Sequence, residues 1–118
     1  MNDIKSPNEQ EARTARIREL NDVLRTTWMT GKVLFTQGIQ ALPDETRSRV
    51  AEAVETFSNF TPDNDPYGEH DFGAVTVDGH KVFWKIDYYA PDMMHGSEDP
   101  ADPAKTRRVL TIILAEEY

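Results

Sequence analysis

The stretch Phe72-Gly-Ala-Val-Thr-Val-Asp-Gly-His-Lys-Val-Phe-Trp-Lys-Ile-Asp-Tyr-Tyr89 decides the fold. Two runs rich in β-branched and aromatic residues, both typical of strands, flank the dipeptide Asp78-Gly79. Asp-Gly accepts the positive φ angles of a type I′ turn, whose twist matches that of two antiparallel strands. The sequence therefore predicts a β-hairpin with a two-residue loop.

A two-residue loop also fixes the register of the hairpin. Gly73 is then predicted to lie opposite Trp84, where the absent side chain leaves room for the indole. Continued to the open end of the hairpin, the same register makes His70 and Asp87 cross-strand neighbours.

Two amphipathic helices are predicted before the hairpin. Ser6-Pro7-Asn8-Glu9 offers a capping serine, a proline at the first helical position and a capping-box glutamate, and apolar residues then recur every three or four positions from 17 to 28. A second helix is predicted from about Pro43 to about Ser58, with acids in its first turn. Residues 37–42 between them are predicted to form a connector.

The remaining strands complete an α+β prediction. Residues 32–36 form a short β-branched and aromatic run, and residues 109–115 are apolar at successive positions, as expected of a central strand covered on both sides. We predict a mainly antiparallel four-stranded sheet with two helices packed on it, in the order α-β-α-β-β-β. Residues 1–5 are expected to be a disordered N-terminus, and residues 6–118 a single α+β domain.

Composition narrows the classes of function. The chain has 118 residues, 21 acids against 13 Lys and Arg, a formal charge of -8 and no cysteine. This charge disfavours direct contact with nucleic acid, and the lack of cysteine excludes disulfides and thiolate sites. The sequence contains neither a signal-peptide pattern nor a membrane span. We therefore expect a cytoplasmic protein with a protein partner and leave its oligomeric state open.

The hairpin geometry predicts where a site lies. Because Asp78-Gly79 closes one end, residues 61–71 and 90–106 must both leave from the other end, and they bring acids, histidines and tyrosines together. Aromatic side chains supply contact area and acids select basic partners. The candidate binding surface consists of Asp63, Asp65, Tyr67, Tyr88, Tyr89, Asp92, His95, Glu98 and Asp99.

Three functional interpretations of this edge remain open. The leading one is a non-enzymatic binding or accessory protein without a cofactor. The second is a small hydrolase or metal-dependent enzyme, in which Asp87 orients His70 across the strands while Glu69 or Asp71 acts as acid or base. The third is an acidic DNA mimic, which requires two rows of carboxylates at phosphate-like spacing. EF-hand calcium binding is excluded, since Ala74 stands where the bidentate glutamate belongs.

Four strings of residues resemble a known family. They are Asn64-Asp-Pro-Tyr-Gly-Glu-His-Asp-Phe-Gly73, Phe83-Trp-Lys-Ile-Asp-Tyr-Tyr89, Asp99-Pro-Ala-Asp-Pro103 and Arg108-Val-Leu-Thr-Ile-Ile-Leu-Ala-Glu-Glu-Tyr118. They resemble an uncharacterised family of short bacterial proteins, a domain of unknown function found largely in alphaproteobacteria and their plasmids. The resemblance implies no activity, cofactor or catalytic residue.

Overall fold

A computed structural model describes residues 7–118. The predicted cap at Ser6 and the predicted disordered residues 1–5 lie outside the described residues. Helices and strands follow one another as α1 (Pro7–Thr27), β1 (Lys32–Phe35), α2 (Gln37–Gln40), α3 (Asp44–Glu55), β2 (Phe72–Val77), β3 (His80–Tyr89) and β4 (Arg107–Leu114).

The fold class is α+β, but the sheet is mixed. Its strand order is β1-β4-β3-β2, in which β1 runs parallel to β4 and the other two pairings are antiparallel. Two of the three pairings are antiparallel, in agreement with the prediction of a mainly antiparallel sheet. The prediction of two helices is wrong, because the expected connector forms the one-turn helix α2, whose Ile39 is fully buried. Burial of this one apolar side chain turns residues 37–40 toward the core.

The hairpin register is confirmed from Val77 opposite His80 to Phe72 opposite Lys85. Gly73 faces Trp84 so closely that a Cβ atom added to it would lie 2.4 Å from the indole Nε1. The predicted pairing of His70 with Asp87 is wrong. The ladder ends because His70 adopts a left-handed φ of 55°, which turns the chain away from β3 toward α1.

All three helices cover the same face of the sheet. The core contains Leu24 from α1, Ile39 from α2 and Val50 and Val54 from α3, packed against Trp84 and neighbouring strand residues. β4 is central in the sheet, as predicted, but the expected cover on both sides is wrong. On the face without helices Leu34 is 42% exposed, and Thr111 and Ile113 are partly exposed.

Candidate functional site

The two long loops leave from the same end of the hairpin, as predicted, and α1 contacts each of them. Arg18 Nη1 donates a hydrogen bond to the carbonyl oxygen of Gly68 at 2.9 Å. Arg13 Nη2 contacts Asp99 Oδ1 in the other loop at 3.0 Å. Arg13 and Arg18 of α1 therefore hold one loop each, so the helix belongs to the site as much as the loops do.

A buried polar network fills the centre of this region. Asn21, fully buried on α1, donates from Nδ2 to the Tyr88 hydroxyl at 2.7 Å and to the Glu69 carbonyl oxygen at 3.0 Å. The Tyr88 hydroxyl donates to Glu69 Oε1 at 2.9 Å, and burial holds the pKa of this phenol far above its usual value. Arg108 Nε donates to Asn21 Oδ1 at 2.7 Å. The side chains of Glu69 and Tyr88 are thus used in hydrogen bonds within the protein.

His70 occupies a closed environment next to this network. Its Nδ1 lies 2.9 Å from Asp22 Oδ1, and its ring stacks on Phe60 with centroids 3.6 Å apart. Asp65 Oδ1 accepts a hydrogen bond from the His70 backbone nitrogen at 3.2 Å. The hydrogen bond to Asp22 and the stacking on Phe60 anchor the loop to the rest of the domain, which is a common role of a structural histidine.

The four candidate catalytic residues are not brought together. Asp87 lies on the opposite face of the sheet, where its carboxylate pairs with Lys85 Nζ at 2.9 Å. Asp71 is on the helix side, and burial, with the nearby Glu69, raises the pKa of its carboxyl. His70 is paired with Asp22 from α1 instead of Asp87. Among residues 7–118, His70 and Asp87 therefore do not form an acid-base pair with each other.

The candidate binding surface divides into exposed and internal residues. Tyr67 is 81% exposed, and Asp63, Asp92, His95 and Glu98 are exposed as well. The remaining members are half-buried or bonded within the protein: Asp65, Tyr88, Tyr89 and Asp99.

Several of the acids cap turns in their own loops. Asp92 Oδ1 accepts hydrogen bonds from the backbone nitrogens of Met94 at 2.8 Å and His95 at 3.2 Å, and the first of these is the main reason its pKa is lowered. Asp65 and Asp102 likewise accept backbone hydrogen bonds. Carboxylates whose positions are set by hydrogen bonds to their own loops argue against the two phosphate-like rows that a DNA mimic needs.

Comparison with known families gives an identity to this fold. A family model described as a protein of unknown function, DUF3768, matches residues 35–117, well over half of the chain. The chain belongs to the DUF3768 family. The resemblance seen in the sequence is thereby confirmed as membership of a family of unknown function. Searches of curated proteins and of solved structures gave no match.

The family match begins in β1, so α1 lies outside it. Glu69, His70, Tyr88 and Arg108 are within the matched region, whereas their partners on α1 precede it. The polar centre therefore joins residues of the matched region to residues of α1 that precede it.

Sequence reasoning missed the residues of α1 that organise the site: Asn21, Asp22 and Arg25. Arg25 is buried and donates from Nη1 to the Val54 and Phe57 carbonyl oxygens at the end of α3. One available signal was the position of Asn21, four residues after Ile17 and three before Leu24 in the apolar stripe. A polar residue inside such a stripe indicates a buried hydrogen-bonding partner.

No metal centre is found in the described range. Among residues 7–118, no group of three or more acidic or histidine side chains is arranged to hold a metal ion. No helix in the same range is long and apolar enough to cross a membrane.

Two cavities open on the loop side of the DUF3768 fold. The first, of about 670 Å³, separates the N-terminal half of α1 from the loop that carries Tyr67. The second, of about 780 Å³, lies among α1, the starts of β1 and β4, and the loop between β3 and β4.

Proposed function

We propose that this DUF3768 protein is a non-enzymatic binding or accessory protein of the bacterial cytoplasm, and that it engages a protein partner through the surface around Tyr67. The observation that carries the proposal is the exposure of Tyr67, at 81%, on the rim of the first cavity. Tyrosine is enriched among residues that dominate binding energy, because its ring supplies a large contact area and its hydroxyl group can form a hydrogen bond.

The loop that presents Tyr67 is held rigid by its own hydrogen bonds. Asn64 Oδ1 accepts from the Thr61 backbone nitrogen at 2.8 Å, and Asn64 Nδ2 donates to the Asn59 carbonyl oxygen at 2.8 Å. The Asp65 nitrogen donates to the Thr61 carbonyl oxygen at 2.8 Å. A preorganised loop loses little conformational entropy on binding, so such a tyrosine contributes more of its contact energy to affinity.

Charge indicates the kind of partner. Glu11 lines the same cavity and Asp63 is exposed beside Pro62, in a chain with a formal charge of -8. Acids around an aromatic contact favour basic partners and increase the rate of encounter with them. Glu69 and His70, by contrast, are occupied by Tyr88 and Asp22, which argues against their use in an enzyme.

Affinity capture from the native host tests the proposal. The variant combines Asp63→Asn with Tyr67→Ala and leaves Asp65 and Glu69 intact, because these two acids hold the loop itself. The matched control combines Glu52→Gln on α3 with Met29→Ala, a side chain that is 85% exposed. It removes one acid and one exposed apolar group at a distance from the loop.

The expected result is a partner that wild type and control retain and the variant loses. With that partner purified, Tyr67→Ala alone should weaken binding by roughly tenfold or more in calorimetric titration. Added salt should weaken the wild-type complex because exposed charges are screened. Capture of the same proteins by all three forms would overturn the proposal.

A further inference from the structure

The second cavity differs from the rest of the molecule in charge. The residues that line it include Lys32, Arg107 and Arg108 together with Leu20, Met93 and Val109. Three of these are cations, and no acid is among the cavity-lining residues that the structure describes. The whole chain has 21 acids against 13 Lys and Arg, so this cavity reverses the charge balance of the protein.

Arg108 is the most unusual of the three cations. It is only 6% exposed, yet its guanidinium forms no ion pair with a carboxylate among the described residues. Nε donates to Asn21 Oδ1 and Nη2 to the Pro100 carbonyl oxygen, while Nη1 has no acceptor in residues 7–118. Burial lowers the pKa of this group. The Tyr88 ring lies 5.1 Å from the guanidinium carbon, and Glu69 acts on the guanidinium electrostatically without forming an ion pair with it. Burial of a charge that has no direct ion pair is costly, and an anion in the adjoining cavity would offset that cost.

The other two cations of the cavity, Lys32 and Arg107, are the first residues of the paired strands β1 and β4. Lys32 is opposite Val109 in the parallel pairing, and Arg107 begins β4. Both are exposed, and neither forms an ion pair within the described part of the chain. The only hydrogen bond of the Arg107 side chain there goes to the Thr106 carbonyl oxygen, at 3.4 Å. Their charged groups are therefore available to a ligand.

The cavity also has an apolar wall formed by Leu20, Met93 and Val109. Met93 belongs to the loop between β3 and β4, where its left-handed φ of 63° and the hydrogen bond from its nitrogen to the Ala90 carbonyl oxygen define a tight turn. Methionine packs well against ligands of varied shape. At about 780 Å³, the volume is within the range of small-molecule sites.

We propose that this cavity binds a small organic anion, in which a carboxylate or phosphate head is carried on an apolar body. Lys32, Arg107 and Arg108 hold the head, and the side chains of Leu20, Met93 and Val109 contact the body. This cavity shares no lining residue with the cavity beside Tyr67, so the proposed anion site is distinct from the proposed protein-binding surface.

Titration of ¹⁵N-labelled full-length protein, followed by backbone amide shifts, tests this directly. Hexanoate and hexyl phosphate are the probes and distinguish the two kinds of head. Hexanamide keeps the body without a charge, while acetate and inorganic phosphate keep the charge without the body. Saturable shifts are expected for the amides of Gly31, Lys32, Met93 and Val109 with either or both hexyl anions, and far weaker shifts with the three control compounds.

Two double variants of equal net charge complete the experiment. Lys32→Gln with Arg107→Gln removes the two exposed cations and should raise the dissociation constant roughly tenfold or more. Arg47→Gln with Lys81→Gln changes the charge equally at positions outside the cavity and should bind like wild type. Equal binding of hexanamide, equal affinity in both double variants, or no saturable shift with either hexyl anion would overturn the proposal.

Discussion

Substitution of Gly73 by alanine should destabilise the fold far more than an ordinary change of one methyl group. An added Cβ would lie 2.4 Å from Nε1, 2.6 Å from Cε2 and 2.7 Å from Cζ2 of Trp84. Carbon atoms in contact are usually about 3.5–4.0 Å apart, so the overlap is about 1 Å at three atoms. Trp84 is fully buried, with Phe57 at 5.6 Å and the Arg25 guanidinium at 5.3 Å from its ring, so the indole has little room to move.

Overpacking of this kind typically costs about 1–3 kcal/mol, and a clash with three atoms of a buried indole should reach the upper end, about 3 kcal/mol. Urea unfolding followed by circular dichroism measures the change. Gly96→Ala is the matched control, since a Cβ there meets only the Tyr88 carbonyl oxygen at 4.0 Å. It should stay within about 0.5 kcal/mol of wild type.

A double-mutant cycle separates the clash from other effects of the methyl group. Trp84→Phe replaces the indole by a smaller ring that has space to shift, so Gly73→Ala should cost about 1–2 kcal/mol less in that background than in wild type. If Gly73→Ala is as stable as Gly96→Ala, or if Trp84→Phe gives no relief, the argument from close packing is refuted.

Two further predictions concern the loop that enters β2. Burial, with the nearby Glu69, raises the pKa of Asp71, so the folded state loses stability as pH rises from the ordinary aspartate pKa through the raised one. In urea unfolding, Asp71→Asn should therefore be as stable as wild type at about pH 3 and more stable than wild type at about pH 7. Equal stability of the two proteins at both pH values would contradict this prediction. His70→Ala should lower the free energy of unfolding by roughly 1–3 kcal/mol through loss of the Asp22 hydrogen bond and the Phe60 stacking. An unchanged melting temperature would instead favour a histidine free for function.

Local chemistry made the hairpin predictable from sequence. Asp78-Gly79 specifies its own turn, and once the loop length is known, alternation assigns each residue to a face and pairs Gly73 with Trp84. The same reasoning gave the wrong partner for His70, two residues before the start of β2. The chain turns at His70 because Asp22, 48 positions earlier, accepts a hydrogen bond from the imidazole. Rules of strand pairing do not take account of a helix so distant in sequence.

The remaining surprises also come from non-local contacts. The pairing of β1 with β4 joins Val33 to Leu110, and nothing near either strand specifies a parallel partner. Asp63, Tyr67 and Asp92 lie in the loops that leave the open end of the hairpin, as the two-residue turn requires. The cation-lined cavity was missed, since Lys32 and Arg107 are brought together only by the parallel pairing.

The central position of β4 has a consequence for the order of events during synthesis. Because β4 is the last of the four strands to leave the ribosome, β1 and the β2–β3 hairpin have no strand in common until residues 107–114 emerge. Until then, the apolar faces of α1 and α3 have only part of their eventual partner. A nascent chain in this state exposes apolar surface, to which chaperones bind. Completion of the sheet should therefore be a late, cooperative event that waits for residues 107–114.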